Sequence, residues 1–123
     1  MIMNNIHKTA LIGTGYWGSI IIKTLIKITN KKVIVYDKKR ENSLLLKKRF
    51  KGRIIVAKKN NEIFKNPNIK NIILATHPSV NFELGKKVLN NKKNLFVEKP
   101  ILTDVIKLNK LIRVAKENKK ILM

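Results

Sequence analysis

Cysteine is absent from the 123 residues, which excludes disulfides and thiolate metal sites and fits a reducing compartment. Acidic residues are scarce: 7 Asp and Glu stand against 28 Lys and Arg, giving a formal net charge of +21. A charge of that size draws polyanions through counterion release, so weak, salt-sensitive DNA binding is expected whatever the fold. Aromatics are only 6% of the chain, and no element interleaves basic residues with stacking rings. A dedicated nucleic-acid role is therefore not expected. Long apolar runs are also missing. The most apolar stretch, Ile20 to Ile28, is broken by Lys23 and Lys27 and is too short to span a bilayer. The start, Met1 to Lys8, is polar and lacks the apolar core of a signal peptide. These absences predict a cytoplasmic chain with no membrane association. Hydrophobic residues, at 44%, are plentiful enough for one packed domain over residues 1–123.

Glycine is used sparingly, and three of the 5 glycines fall in one place. Thr9 to Ile12 reads as a strand that runs into Gly13-Thr14-Gly15-Tyr16-Trp17-Gly18 and then a helix from about Ser19. The spacing G-x-G-x-x-G between a strand and a helix suits pyrophosphate binding. Gly13 permits the tight turn, Gly15 leaves room for a phosphate at the backbone, and Gly18 lets the helix lie close to the strand. The helix N-terminus then offers unpaired amides and the positive end of its dipole.

The rest of the chain alternates. A helix to Thr29, with Ile21, Ile22, Leu25, Ile26 and Ile28 on its buried side, precedes strand two, Lys32 to Asp37. A helix from Glu41 to Phe50 leads to strand three, Arg53 to Ala57, and a short helix, Asn61 to Phe64, is capped by Asn60. Strand four, Asn71 to Ala75, ends at Thr76-His77-Pro78-Ser79. The helix from Ser79 to Leu89 closes with a left-handed Asn90-Asn91. Strand five, Asn94 to Val97, ends in Glu98-Lys99-Pro100. Thr103 caps a last helix to Lys116, buried through Val105, Leu108, Leu111, Ile112 and Ala115. Lys120 to Met123 opens a sixth strand. Apolar strands alternating with helices predict an α/β fold, a Rossmann-type doubly wound parallel sheet. Its ligands bind at strand carboxyl ends, where every motif singled out here falls.

Asp37 stands at the end of strand two, about twenty residues past the glycine turn, where a carboxylate accepts ribose hydroxyls and selects NAD. The alternative is a solvated aspartate that caps the turn into the next helix. Lys38, Lys39 and Arg40 follow directly; a cation there can hold the 2′-phosphate of NADP, or Arg40 can lie over the adenine.

Three segments together resemble the Gfo/Idh/MocA oxidoreductases, a family that includes glucose-fructose oxidoreductase and inositol dehydrogenase. They are Gly13-Thr14-Gly15-Tyr16-Trp17-Gly18, Ile73-Leu74-Ala75-Thr76, and Phe96-Val97-Glu98-Lys99-Pro100 with Ile101. The Glu-Lys-Pro triplet is the specific part. The resemblance implies NAD or NADP as cofactor, with Lys99 near the nicotinamide to bind the reacting hydroxyl. It implies that Glu98 and Pro100 shape the nicotinamide end, Pro100 through a cis peptide, and that Ala75, Thr76, His77 and Pro78 form a cofactor loop. The Gly-Tyr-Trp-Gly turn is similar to members acting on sugars or nucleotide sugars.

The sequence departs from the family in two places. His77 stands where members carry proline, with Pro78 next, and Asn81 falls near the family's histidine position. His77 is thus read as a loop or helix-cap residue and not as an acid–base catalyst. The chain also stops before the family's second α/β domain, which carries most substrate contacts, the usual catalytic histidine and the oligomer interface. The expectation is a truncated domain that binds cofactor and turns over little alone. A homo-oligomer or a partner chain would supply the rest. The alternatives are a non-catalytic dinucleotide sensor and, on the same fold, an S-adenosylmethionine site.

Overall fold

A computed structural model describes residues 5–123; of the polar start, residues 1–4 lie outside the described residues. Short, β-branched apolar runs give five strands: β1 (Thr9–Ile12), β2 (Val33–Tyr36), β3 (Ile54–Val56), β4 (Asn71–Leu74) and β5 (Asn94–Val97). Between and after them come α1 (Tyr16–Ile28), α2 (Arg40–Arg49), α3 (Asn61–Phe64), α4 (Pro78–Asn90) and α5 (Val105–Glu117). The strands form one sheet in the order β3-β2-β1-β4-β5, and every pairing is parallel. Alternation along the strands splits the core in two. Leu11, Val33 and Val35 face Ile22 and Leu25 of α1 and Leu46 of α2. Ala10, Ile12, Ile72 and Leu95 face the other way, toward Val88 of α4 and Leu111 of α5. Helices on both faces of a parallel sheet are the doubly wound arrangement that the alternation predicts.

Chain order reverses direction at β1. The path from β1 moves outward through β2 to β3, then returns to place β4 on the opposite side of β1. The tips of β1 and β4 therefore part where their following helices leave to opposite faces, which opens a crevice.

Several boundaries differ from the sequence reading. Helix α1 begins at Tyr16, so Gly18 is inside its first turn. Ile28 is 70% exposed, because the helix's final turn runs out beside a groove bordered by His7 and Thr9. Asn60 makes no side-chain cap and is itself helical in its backbone angles. Asp104 caps α5 in place of Thr103, accepting from the amides of Ile106 and Lys107; a carboxylate is the better acceptor at a positive helix end. Of the expected α5 face, Leu111 and Ala115 are buried while Val105 is exposed. The left-handed residue after α4 is Lys92, at φ 60°, and Asn91 keeps φ −89°. Lys120 to Met123 lies parallel to β5 through a bridge between Leu95 and Leu122. Among the described residues, no helix is long and apolar enough to cross a membrane.

Candidate functional site

The glycine turn is the most constrained part of the fold. Gly13 has φ 97°, and a Cβ there would stand 2.4 Å from the carbonyl oxygen of Ala75. A Cβ on Gly18 would stand 2.0 Å from the carbonyl oxygen of Gly13, so only glycine lets α1 pack on the turn. Gly15 is different: a Cβ would meet nothing within 4 Å. This glycine caps α1 with no side-chain hydrogen bond, which leaves the first-turn amides facing open space.

The turn is braced from beneath. Thr14 is buried, and its amide and hydroxyl both donate to Oδ2 of Asp37, at 2.7 and 3.0 Å. The other carboxylate oxygen accepts from the Lys39 amide at 2.8 Å. The Thr14 hydroxyl lies 3.2 Å from that of buried Ser43 on α2. With its proton committed to Asp37, Thr14 accepts from Ser43. Asp37 thus ties the tip of β2 to the turn after β1 and to the start of α2. Sequence reading missed Ser43, although it lies on the same face of α2 as Leu46, one turn earlier.

At the tip of β4, His77 is the N-cap of α4 and accepts from the Ser79 amide through Nδ1 at 3.2 Å. The Thr76 hydroxyl donates to Oδ1 of Asn81 at 2.6 Å. Asn81, fully buried, in turn donates to the carbonyl of Ile101 at 2.8 Å. That bond carries the β4 loop to the segment after β5. There the Glu98 amide donates to the Leu74 carbonyl at 2.9 Å, and the Lys99–Pro100 peptide is cis.

These tips enclose a cleft of about 770 Å³ across β2, β1 and β4. Of the residues singled out from sequence, Gly13, Gly15, Asp37, Lys38, Lys39, Ala75, Thr76, His77 and Ser79 line it. Thr14 and Gly18 are buried in the turn, and Pro78 opens α4 behind the wall. Tyr16 and Trp17 stand on the outer rim, 76% and 58% exposed, in an edge-on pair with ring centroids 5.4 Å apart. Glu98, Lys99 and Pro100 are on the same edge of the sheet but one strand beyond the cleft, outside its lining. Lining residues not anticipated from sequence include Asn42, Asn60, Val80, Glu83 and Leu84.

The family described as "Oxidoreductase family, NAD-binding Rossmann fold" (Gfo/Idh/MocA) matches residues 7–123. The chain belongs to this oxidoreductase family. A 33% identity over 55 residues links it to an uncharacterized oxidoreductase, YhhX, of Escherichia coli (strain K12), covering 45% of this chain and 16% of that protein. The fold superposes on biliverdin reductase from Synechocystis, solved with biliverdin and NADP+, with a TM-score of 0.82 at 17% identity. That match covers 93% of this chain and 36% of the reductase. UDP-N-acetylglucosamine 3-dehydrogenase GnnA from Acidithiobacillus ferrooxidans gives 0.82 at 18% identity, over 93% of this chain and 37% of the other. At such identities the two structures speak for the fold. The chain spans about a third of their length. The matched residues, 7–123, are the family's NAD-binding Rossmann domain, and a nicotinamide dinucleotide is its cofactor class.

The cleft fits such a group. An open space sits before Gly15, uncapped amides begin α1, and the crevice between the β1 and β4 tips is free of side chains that would fill it.

Proposed function

We propose that this domain holds a nicotinamide dinucleotide, NAD or NADP, across the tips of β2, β1 and β4, for oxidation or reduction at a hydroxyl of a sugar, nucleotide sugar or polyol. The observation that carries the reading is the open, uncapped Gly15 corner at the mouth of the cleft. When bound, a nicotinamide ring accepts or donates a hydride.

The chain's own residues divide the work of binding. Gly13 and Gly18 hold the turn so that the first amides of α1 point at a diphosphate, and the dipole of α1 favours that charge. Asp37 fixes the turn through Thr14 and borders the ribose end with Lys38. Ala75, Thr76 and His77 form the wall opposite, with Pro78 behind them, and Tyr16 and Trp17 shield the diphosphate from the rim. Lys99 presents an ammonium at the tip of β5, where it would hold the substrate oxygen and stabilise charge developing on it. Glu98 and the cis Pro100 set that lysine's approach. Remaining substrate contacts come from polypeptide outside these residues, in the same chain, a second copy or a partner, and the setting is the cytoplasm.

Trp17 is the single tryptophan, which makes it the reporter. Titration with NADH, NADPH and S-adenosylmethionine should give saturable quenching by a nicotinamide dinucleotide that Gly15→Val abolishes. Saturation by S-adenosylmethionine alone overturns the reading. An equal response to any polyanion that moderate salt removes overturns it too.

A further inference from the structure

We infer that the ribose corner of this cleft selects the 2′-phosphorylated cofactor, NADP(H), over NAD(H), an assignment that rests on the dinucleotide reading above. A parallel sheet that selects the plain ribose does so with a carboxylate at the end of its second strand, free to accept the ribose hydroxyls and repel a phosphate. Asp37 occupies that position, but most of its acceptor sites are already taken. Two donors of Thr14 share its Oδ2, at 2.7 and 3.0 Å, and the Lys39 amide takes Oδ1 at 2.8 Å. Three of the carboxylate's roughly four acceptor sites are thus used by the fold, which leaves about one for a ribose hydroxyl.

The cations beside it are uncommitted. Lys38 and Lys39 both line the cleft, and both are exposed. Among the described residues the one ion pair is Lys86 with Glu83, at 3.3 Å, so neither lysine is neutralised by a neighbour. Glu83 is the other acidic group lining the cleft, and its charge already faces Lys86. The corner around Asp37 is thus net positive. A 2′-phosphate brings about two further negative charges at neutral pH, and lysine binds phosphate as a mobile point charge.

The test is isothermal titration of the 123-residue chain at about 0.15 M ionic strength, where long-range attraction to a basic protein is screened. NADPH should bind about tenfold or more tighter than NADH, and 2′,5′-ADP tighter than 5′-ADP by a similar factor. The double substitution Lys38→Ala/Lys39→Ala keeps the backbone amide that bonds Asp37. It should weaken NADPH about tenfold more than it weakens NADH. A charge-matched pair on α5, Lys110→Ala/Lys116→Ala, should keep the preference. Saturable NADH binding as tight as NADPH overturns the selectivity and leaves the dinucleotide reading standing. Equal loss of the preference in the α5 pair also overturns it. Absence of saturable binding by either dinucleotide overturns both.

Discussion

The buried side-chain amide of Asn81 donates to the carbonyl oxygen of Ile101 at 2.8 Å, across twenty residues of sequence. Its own oxygen accepts from the Thr76 hydroxyl at 2.6 Å. One side chain therefore fastens the loop after β4 to the segment that carries Lys99. An asparagine suits this post because it offers a donor and an acceptor on one planar group.

Asn81→Ala should break both links and leave the Ile101 carbonyl without its partner. A loss of about 2 kcal/mol is expected for an orphaned buried pair. In a domain of this size that lowers the melting temperature by roughly 8 °C. Circular dichroism melts check it. A positioning role predicts more: binding of NADPH should weaken while binding of 2′,5′-ADP, which does not reach the β5 tip, stays within about twofold. Equal weakening of both would reduce Asn81 to general stability.

The three glycines of the turn should separate cleanly. Gly13→Ala and Gly18→Ala each force a Cβ against backbone, at 2.4 and 2.0 Å, and should cost several kcal/mol or prevent folding. Gly15→Ala has open space and an ordinary φ of −73°, so its melt should match the parent within about 1 kcal/mol. Its affinity for dinucleotide should nonetheless fall, because the methyl group occupies the room kept for the diphosphate. A Gly15→Ala chain that folds and binds undiminished would remove the phosphate from this corner.

Thr14 and Asp37 should behave as one unit. Thr14→Val removes a hydroxyl that both donates to Asp37 and accepts from Ser43, at a cost of about 1–2 kcal/mol. Asp37→Asn should cost at least as much, since an amide cannot accept from Thr14 and Lys39 on both sides. In the double variant the losses should fall short of additive by about 1 kcal/mol. Additive losses in urea melts would mean that Asp37 acts independently of the turn.

How much of this was legible beforehand follows from range. Four of the five strand tips were marked by a local change in chemistry: apolar runs giving way to Gly13, Asp37, Thr76 or Glu98. The glycine turn was legible because Gly13 and Gly18 answer to contacts only a few residues away or one strand over, and Gly15 completes their spacing. Asp104 in place of Thr103, and Lys92 in place of Asn91, are one-residue offsets decided by backbone angles that composition does not reveal. The bond from Asn81 to Ile101 was out of reach because its partner is a carbonyl brought near only by folding. Lys93 was hidden for another reason: nothing in a sequence with 28 basic residues sets one of them apart.

Among the described residues Lys93 is the one buried lysine; it stands just before β5, at the amino ends of the strands and so at the edge of the sheet opposite the cleft. Its ammonium donates to the carbonyls of Asn66 and Ile69, at 2.6 and 2.5 Å. Burial, reinforced by the charges of Lys70 and Lys120, holds its pKa below the ordinary lysine value of 10.5. The folded state then releases this proton at lower pH than the unfolded chain does. Between the two values the unfolded state binds more protons, so stability rises with pH. The gain is complete above 10.5 and is lost as pH falls through the depressed folded value. The contribution is read as a difference between two chains. The stability of the parent minus that of Lys93→Met, from urea melts at stepped alkaline pH, should climb toward pH 10.5 and then level. A difference that falls over that range would mean that the two carbonyls favour the charged form by more than burial opposes it.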